Sequence, residues 1–288
     1  EVIDGETKQK YKFKAKIIFL CASTVPSTSI LMQSTSKRFP KGLGNDSGEL
    51  GHNIMDHHLS VAASAKIENY KEKYDKGRRP GGIYIPRFRN IGGNSNSKDF
   101  IRGYGYQGGA WRNSMSEVVA ELKYGPKLKE EILKPGGWRI GVTGFGETLP
   151  DHNNKMYLDY DKLDEWGLPT VTFDADFGEN ELAMRKDMKD QAVKMFKSAG
   201  YKDVVGYDSI DSRAMGLGIH EMGTARMGHD PKTSVLNKYN QIHACKNVFV
   251  TDGSFMTSSA CQNPSLTYMA FTVRAANYAS EQFKNGNL

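Results

Sequence analysis

The sequence predicts an α/β framework combined with an antiparallel α+β module. Two buried-type strands, Ile17-Ile18-Phe19-Leu20-Cys21 near the start and Asn247-Val248-Phe249-Val250-Thr251 near the end, are the kind found in parallel sheets covered by helices. Between them, short strand-like runs separated by Gly, Pro and Asn clusters are interrupted by one strong helix, a loose order that suits an antiparallel α+β module.

Taken in order, Val2–Ile3 and Tyr11–Cys21 read as a hairpin around the turn Asp4-Gly5-Glu6-Thr7, and the run from Ile17 reads as buried on both faces. Ser27–Ser34 predicts a short helix and Lys41–Ser47 a loop. Four short strands follow, at Gly82–Ile85, Trp138–Val142, Met156–Leu158 and Thr170–Phe173. The helix from about Asn180 to Ala199 places Met184, Met188, Ala192, Met195 and Phe196 on one face, with Gly200 as its stop. Near the C-terminus, Asn263 is expected to cap a helix whose first residue is Pro264. Leu266, Met269, Ala270, Val273 and Ala276–Asn277 follow at helical spacing, and Asn285–Leu288 should fray. These changes of texture divide the chain into segments 1–57, 58–208 and 209–288.

With 288 residues the chain is long enough for two domains and a sizeable core. Apolar residues at 38% and charged residues at 25% exclude a disordered chain, and no apolar run is long enough to span a membrane. The net charge of +6 is mild and spread along the chain, so it could suit an anionic partner but does not demand nucleic acid. Three cysteines exclude a disulfide framework and a four-cysteine metal site. The chain opens on Glu1 rather than Met and shows no signal peptide, which points to a piece of something longer.

Several motifs carry little. Gly103-Tyr104-Gly105-Tyr106-Gln107-Gly108 has the spacing G-x-G-x-x-G, but no buried strand precedes it and no βαβ unit surrounds it. His57 and His58 are neighbours that a strand would point to opposite faces, so a structural role is favoured. His152, His229 and His243 have no partner at ligand spacing, and no metal site is expected. Cys261 lacks an identifiable base and reads as a small buried residue. Tyr104, Tyr106, Trp111 and Trp138 suit sugar stacking and plain core packing equally.

The informative constellation is His220-Glu221-Met222-Gly223-Thr224-Ala225-Arg226-Met227-Gly228, followed by Asn263-Pro264. A helix N-terminus offers unpaired N–H groups and a positive dipole end, which can stabilise an anion. A histidine at the same place could accept a proton near neutral pH, and an asparagine could hydrogen-bond a substrate oxygen. A buried histidine beside an ordinary helix cap stays open as the alternative.

His220–Gly228, Val248–Gly253 and Asn263–Ala270 together resemble the C-terminal signature of the glucose–methanol–choline (GMC) flavoprotein oxidoreductases, H-x-x-G-T-x-x-M-G, a strand into D-[AG]-S, then N-P-x-L-T. Upstream, Ala15–Ser23 with Ile30-Leu31 and Ser34 is similar to the family's strand and helix near the FAD adenosine. Gly42–Asn45, Gly51–Asn53 and Met55-Asp56-His57 resemble its G-L-x-N … G-x-N-x-M-D-H segment. Glu147, Pro150, Asn154 and Trp166–Pro169 match the way its substrate domain leads into the C-terminal portion.

The resemblance implies part of a Rossmann-like FAD-binding domain with an antiparallel-sheet substrate domain, in a chain that lacks the N-terminal glycine-rich FAD fingerprint. Segments 1–57 and 209–288 would then be portions of the FAD domain and 58–208 the substrate-binding domain. It implies FAD-dependent oxidation of a CH–OH group of a sugar or related alcohol, most like the bacterial sugar, gluconate and glycoside dehydrogenases. His220 would be the base, Asn263 the partner of the substrate oxygen, and hydride would pass to flavin N5. The flavin would be contacted by Cys21, Ala22, Ser23, Asp252, Gly253, Gln262, Asn263, Pro264 and Thr267. Cys21-Ala22-Ser23 stands where many relatives have a glycine, and Asn263 aligns the chain with the His/Asn members. The partners implied are the N-terminal half of the same enzyme, from the same gene or a second polypeptide, and an electron acceptor. A periplasmic location is expected from the resemblance alone. The competing expectation is an inactive remnant or a carbohydrate-binding module without flavin. A flavoenzyme piece should expose an apolar face where its other half docks, and a self-contained module should present a sealed polar one.

Overall fold

The computed structural model describes residues 1–70, 82–112, 125–126, 128–129, 136–209 and 215–288. In chain order the first elements are β1 (Val2–Ile3), β2 (Lys10–Tyr11), β3 (Ile18–Leu20) and helix α1 (Thr24–Gln33). Then come β4 (Val61–Ile67), β5 (Ile83–Ile85), β6 (Tyr104–Arg112), β7 (Trp138–Gly146), β8 (Lys155–Leu163) and β9 (Pro169–Asp174). Helix α2 (Glu179–Ser198), β10 (Lys202–Asp208), β11 (Gln241–Ile242), β12 (Cys245–Val250) and α3 (Ser265–Lys284) complete the order.

The chain divides into two compact units: Glu1–His57 with Thr148–Phe177 and Met215–Leu288, and His58–Glu147 with Gly178–Ala214. The first break falls between His57 and His58. The expected 58–208 segment does not close as one body, because Thr148–Phe177 belongs to the first unit. There the Met156 N–H donates to Gly51 O at 2.8 Å and the Ile54 N–H to Asn154 O at 3.1 Å, tying the β8–β9 hairpin to the 51–57 segment.

In the first unit, β12 lies between antiparallel β11 and parallel β3, with Ile18, Phe19 and Leu20 opposite Val248, Phe249 and Val250. The expected second strand of the N-terminal hairpin is therefore two short pieces: β2 pairs with β1, and β3 joins the sheet. Strand β3 is at the sheet's edge, not buried on both faces. Phe19 stacks on fully buried Phe249 at 5.0 Å, yet Ile18 remains 41% and Phe19 37% exposed. Helix α3 packs through Ala275, Ala279, Tyr268, Phe271 and Tyr278. Leu266, Met269, Ala270, Val273 and Ala276–Asn277, the face singled out by their spacing, are exposed instead.

The second unit is a five-stranded antiparallel sheet, ordered β10-β4-β7-β6-β5, with α2 on one face. Met184, Met188, Ala192 and Phe196 are buried against Val61, Ala63, Ala65, Tyr104 and Tyr106. Gly144 permits this approach, since a Cβ there would lie 2.7 Å from Met188 Sδ. Arg185, 2% exposed, is held by Asp208 Oδ1 and Leu59 O, so its charge is paired within the unit. The G-x-G-x-x-G stretch belongs to β6 and the approach to it, so it is a strand within an antiparallel sheet and opens no helix.

Candidate functional site

Strand β12 runs into Asp252 and a single helical turn, Gly253–Phe255, capped by Asp252 Oδ1, which accepts the Ser254 N–H at 3.0 Å. This turn holds the His220 motif by its backbone. The N–H groups of Gly223, Ala225 and Met227 donate to Gly253 O, Ser254 O and Phe255 O at 3.1, 2.9 and 3.0 Å. On the other side Met55 and Met222 exchange both backbone hydrogen bonds at 2.8 Å, which brings the 55–57 segment beside His220.

Asp56, almost fully buried, fixes the junction. Its Oδ1 accepts the N–H of His57 at 2.7 Å and of His220 at 3.0 Å, and its Oδ2 accepts that of Gly218 at 2.6 Å. Burial pushes this carboxyl up to about 6, against the pull of those three N–H groups and with the charge of Glu221 adding to the rise. Ile219, next to His220, has φ of 58°, a conformation a β-branched residue rarely adopts.

The imidazole of His220 lies between two partners. Its Nδ1 is 2.9 Å from His57 Nδ1, and its Nε2 is 3.2 Å from Asn263 Nδ2. His57 is buried, its Nε2 hydrogen-bonded to Ala260 O. Burial draws the His57 pKa down to about 4, the Ala260 carbonyl opposing and His220 reinforcing. His220 is also held below the usual histidine range by desolvation, with Glu221 opposing. Both rings are therefore neutral near pH 7, and His220 is able to accept a proton.

Beside His220 is a cavity of about 270 Å³, whose walls include Cys21, Ser23, Thr24, Asp252, Gly253 and Pro264. The N-termini of α1 and α3 both open on it, since Ser23, Thr24, Pro264 and Ser265 all line it. Unpaired N–H groups and two positive dipole ends suit an anionic or electron-rich group, so the residues present fit one edge of a flavin nucleotide. Gly253 keeps the wall close, for a Cβ there would meet Glu221 O and Thr24 Oγ1 at 2.5 Å. Asp252 is engaged inward: Ser27 Oγ and Ser254 Oγ both donate to its carboxylate. Ala22 donates its N–H to Ser27 Oγ at 3.1 Å, and Cys21 Sγ is 3.3 Å from Thr251 Oγ1.

The structure thus brings His220 and Asn263 together and places Cys21, Ser23, Asp252, Gly253 and Pro264 around one cavity. Gln262 and Asn263 are exposed just before α3, and Thr267 is half-buried in its first turn. Helix α3 opens at Ser265 with Pro264 at the cap position, one residue later than expected, and the Asn263 amide faces His220. Sequence reasoning missed His57 and Asp56 as site residues. Asp56, His57 and Glu221 are titratable neighbours of His220. Cys261 is buried, and His152 stacks on His52 at 4.0 Å. Among the described residues no group of three or more His, Cys, Asp or Glu is placed to hold a metal ion.

The second unit has its own cleft of about 430 Å³, including Tyr84, Gln107, Thr143 and Phe145, on the sheet face turned away from α2. Tyr104 and Tyr106, two of the expected stacking residues, are core: their hydroxyls donate to Asp187 Oδ2 and Met188 O at 2.6 Å. Trp111 and Trp138 remain partly exposed on β6 and β7.

Comparison with known proteins shows what the chain is similar to. Residues 150–272 match a family model for the C-terminal part described as "GMC oxidoreductase". Over those residues the chain is similar to the C-terminal domain of the GMC oxidoreductases. It is 31% identical to 2-methyl-1,2-propanediol dehydrogenase of Mycolicibacterium austroafricanum, over 98% of this chain and 51% of that protein. It is 27% identical to the fructose dehydrogenase large subunit of Gluconobacter japonicus, over 97% and 50%. A solved structure of formate oxidase from Aspergillus oryzae RIB40 shares the fold, with a TM-score of 0.55 at 13% identity, over 95% of this chain and 55% of that one. The chain spans about half the length of the curated relatives it matches.

Proposed function

We propose that the full-length protein is an FAD-dependent oxidoreductase that oxidises a CH–OH group of a sugar or related alcohol. The observation that carries this reading is the 3.2 Å pairing of His220 Nε2 with Asn263 Nδ2, beside a cavity onto which two helix N-termini open. Bound FAD would supply the acceptor for the hydride that leaves the carbinol carbon. His220 Nε2 takes the hydroxyl proton of a substrate held between the two side chains, and the Asn263 amide donates to the substrate oxygen. Cys21, Ala22, Ser23, Asp252 and Gly253 would hold the cofactor on one side, with Gln262, Pro264 and Thr267 on the other. That the relatives include a diol dehydrogenase and a fructose dehydrogenase supports the substrate class.

The other half of the polypeptide is the partner this reading requires. Ile18 and Phe19 on β3 and Leu266, Met269 and Val273 on α3 are exposed apolar side chains on elements of the same unit. They suit docking of a further segment and disfavour a sealed carbohydrate-binding module.

The test is anaerobic reduction of the flavin by a panel of sugars and diols in the full-length protein and in its His220→Ala and Asn263→Ala variants. Replacing His220 should slow reduction by about 100-fold or more. An unchanged rate removes it from the mechanism.

A further inference from the structure

We propose that His57 is a positioning residue that fixes the tautomer of His220, holding the proton on His220 Nδ1 and leaving Nε2 as the acceptor facing Asn263. The use of that acceptor as a base rests on the proposed function; the tautomer itself follows from this chain's own hydrogen bonds.

The chain of donors starts at Ala260. Its carbonyl oxygen has no proton to give, so its bond with His57 Nε2 requires an Nε2–H. A neutral imidazole carries one ring proton, which makes His57 Nδ1 an acceptor. Burial of this ring keeps it neutral above about pH 4. Two ring nitrogens 2.9 Å apart need one proton between them, and His57 has none left on that side. The proton therefore sits on His220 Nδ1. Neutral His220 then has a bare Nε2, opposite an amide nitrogen that is itself a donor.

The backbone frame allows little slack. The Asp56 carboxylate accepts the N–H of both histidines, so the two rings are mounted on one buried group. Their planes meet at 75°, with centroids 4.9 Å apart, which presents the edge of one ring to the other. Among the described residues, Asp56 and Glu221 are charged groups that act on this pair. Asp56 acts through backbone N–H groups, so a ring tautomer set by a carboxylate, as in a hydrolase triad, is replaced here by one set by a second histidine.

The experiment is ¹⁵N imidazole NMR on the full-length holoprotein labelled at histidine, with His220 assigned from the His220→Ala spectrum, alongside steady-state and flavin-reduction rates. The wild-type protein should show His220 as the Nδ1–H tautomer. His57→Phe keeps the ring and removes the acceptor, so it should raise the Nε2–H population and cut kcat about 100-fold with KM little changed. His57→Asn, whose Oδ1 can stand in for Nδ1 as an acceptor, should restore the tautomer and much of the rate. An Nε2–H tautomer in the wild type, or a His220 spectrum unmoved by His57→Phe, overturns the inference. If His220→Ala reduces flavin at the wild-type rate, the functional reading fails, and the tautomer spectra alone decide this inference.

Discussion

The Asp56 carboxylate accepts the backbone N–H of His220 at 3.0 Å across 164 positions of sequence. The same carboxylate takes the N–H groups of His57 and Gly218, so one buried side chain sets where the His220 loop begins and where the 55–57 segment ends. Replacing Asp56 with Ala leaves three backbone donors to find other partners. We expect a loss of roughly 3 kcal/mol in urea unfolding.

Asp56 and His57 pull the pH dependence of stability in opposite directions. The folded pKa of Asp56, about 6, lies above its ordinary 3.8, so its contribution is full below that ordinary value and is lost as pH rises to about 6. His57, at about 4 in the fold against 6.5, contributes stability that is gained as pH rises from about 4 to 6.5. Between pH 4 and 6 the two offset each other. Relative to the wild type, unfolding midpoints of His57→Gln should fall as pH rises through that window, and those of Asp56→Asn should climb. Parallel curves for all three proteins would contradict the assignment.

Gly223, in the His220 motif, has φ of +85°, and a Cβ there would run into Asn53 O. Gly200 has a similar φ of +78° but open space around it. Gly200→Ala should therefore cost about 1 kcal/mol, from backbone strain alone. Gly223→Ala should cost roughly 4 kcal/mol and displace His220, and thermal unfolding of the pair separates strain from collision.

The Tyr104 hydroxyl donates to Asp187, which is already held by both Arg89 Nε and Nη2 at 2.7 and 2.8 Å. Tyr104→Phe leaves that carboxylate paired and should cost about 1 kcal/mol in unfolding, with the proposed alcohol oxidation unchanged. A large rise in KM would instead return Tyr104 to the substrate.

The sequence carried the β12 strand, the run of α2 and the pairing of His220 with Asn263 because each is local or sits in a motif of fixed order. The apolar period of Met184, Met188, Ala192 and Phe196 matches the face α2 buries. The same rule misplaced the buried face of α3: Leu266, Met269 and Val273 have the right spacing, but Ala275 and Ala279 meet the sheet. An apolar stripe does not say which cover it meets. His57 was hidden for a different reason. Its partner is 163 positions away, and the alternation argument that separated it from His58 assumed a strand that the 55–57 segment does not form. Only adjacency to Asp56 in Met55-Asp56-His57 pointed there. The 148–177 hairpin shows the same limit, since its place in the first unit is set by backbone bonds to Gly51 and Ile54 that no periodicity encodes.

The most direct test of the central claim is the visible spectrum of the purified full-length protein, recorded anaerobically before and after addition of sugars and diols. An oxidised flavin band that bleaches with at least one of these alcohols, and persists when His220→Ala protein is used, is the predicted result. A protein that contains no flavin, or whose flavin is reduced equally fast without His220, would contradict the account.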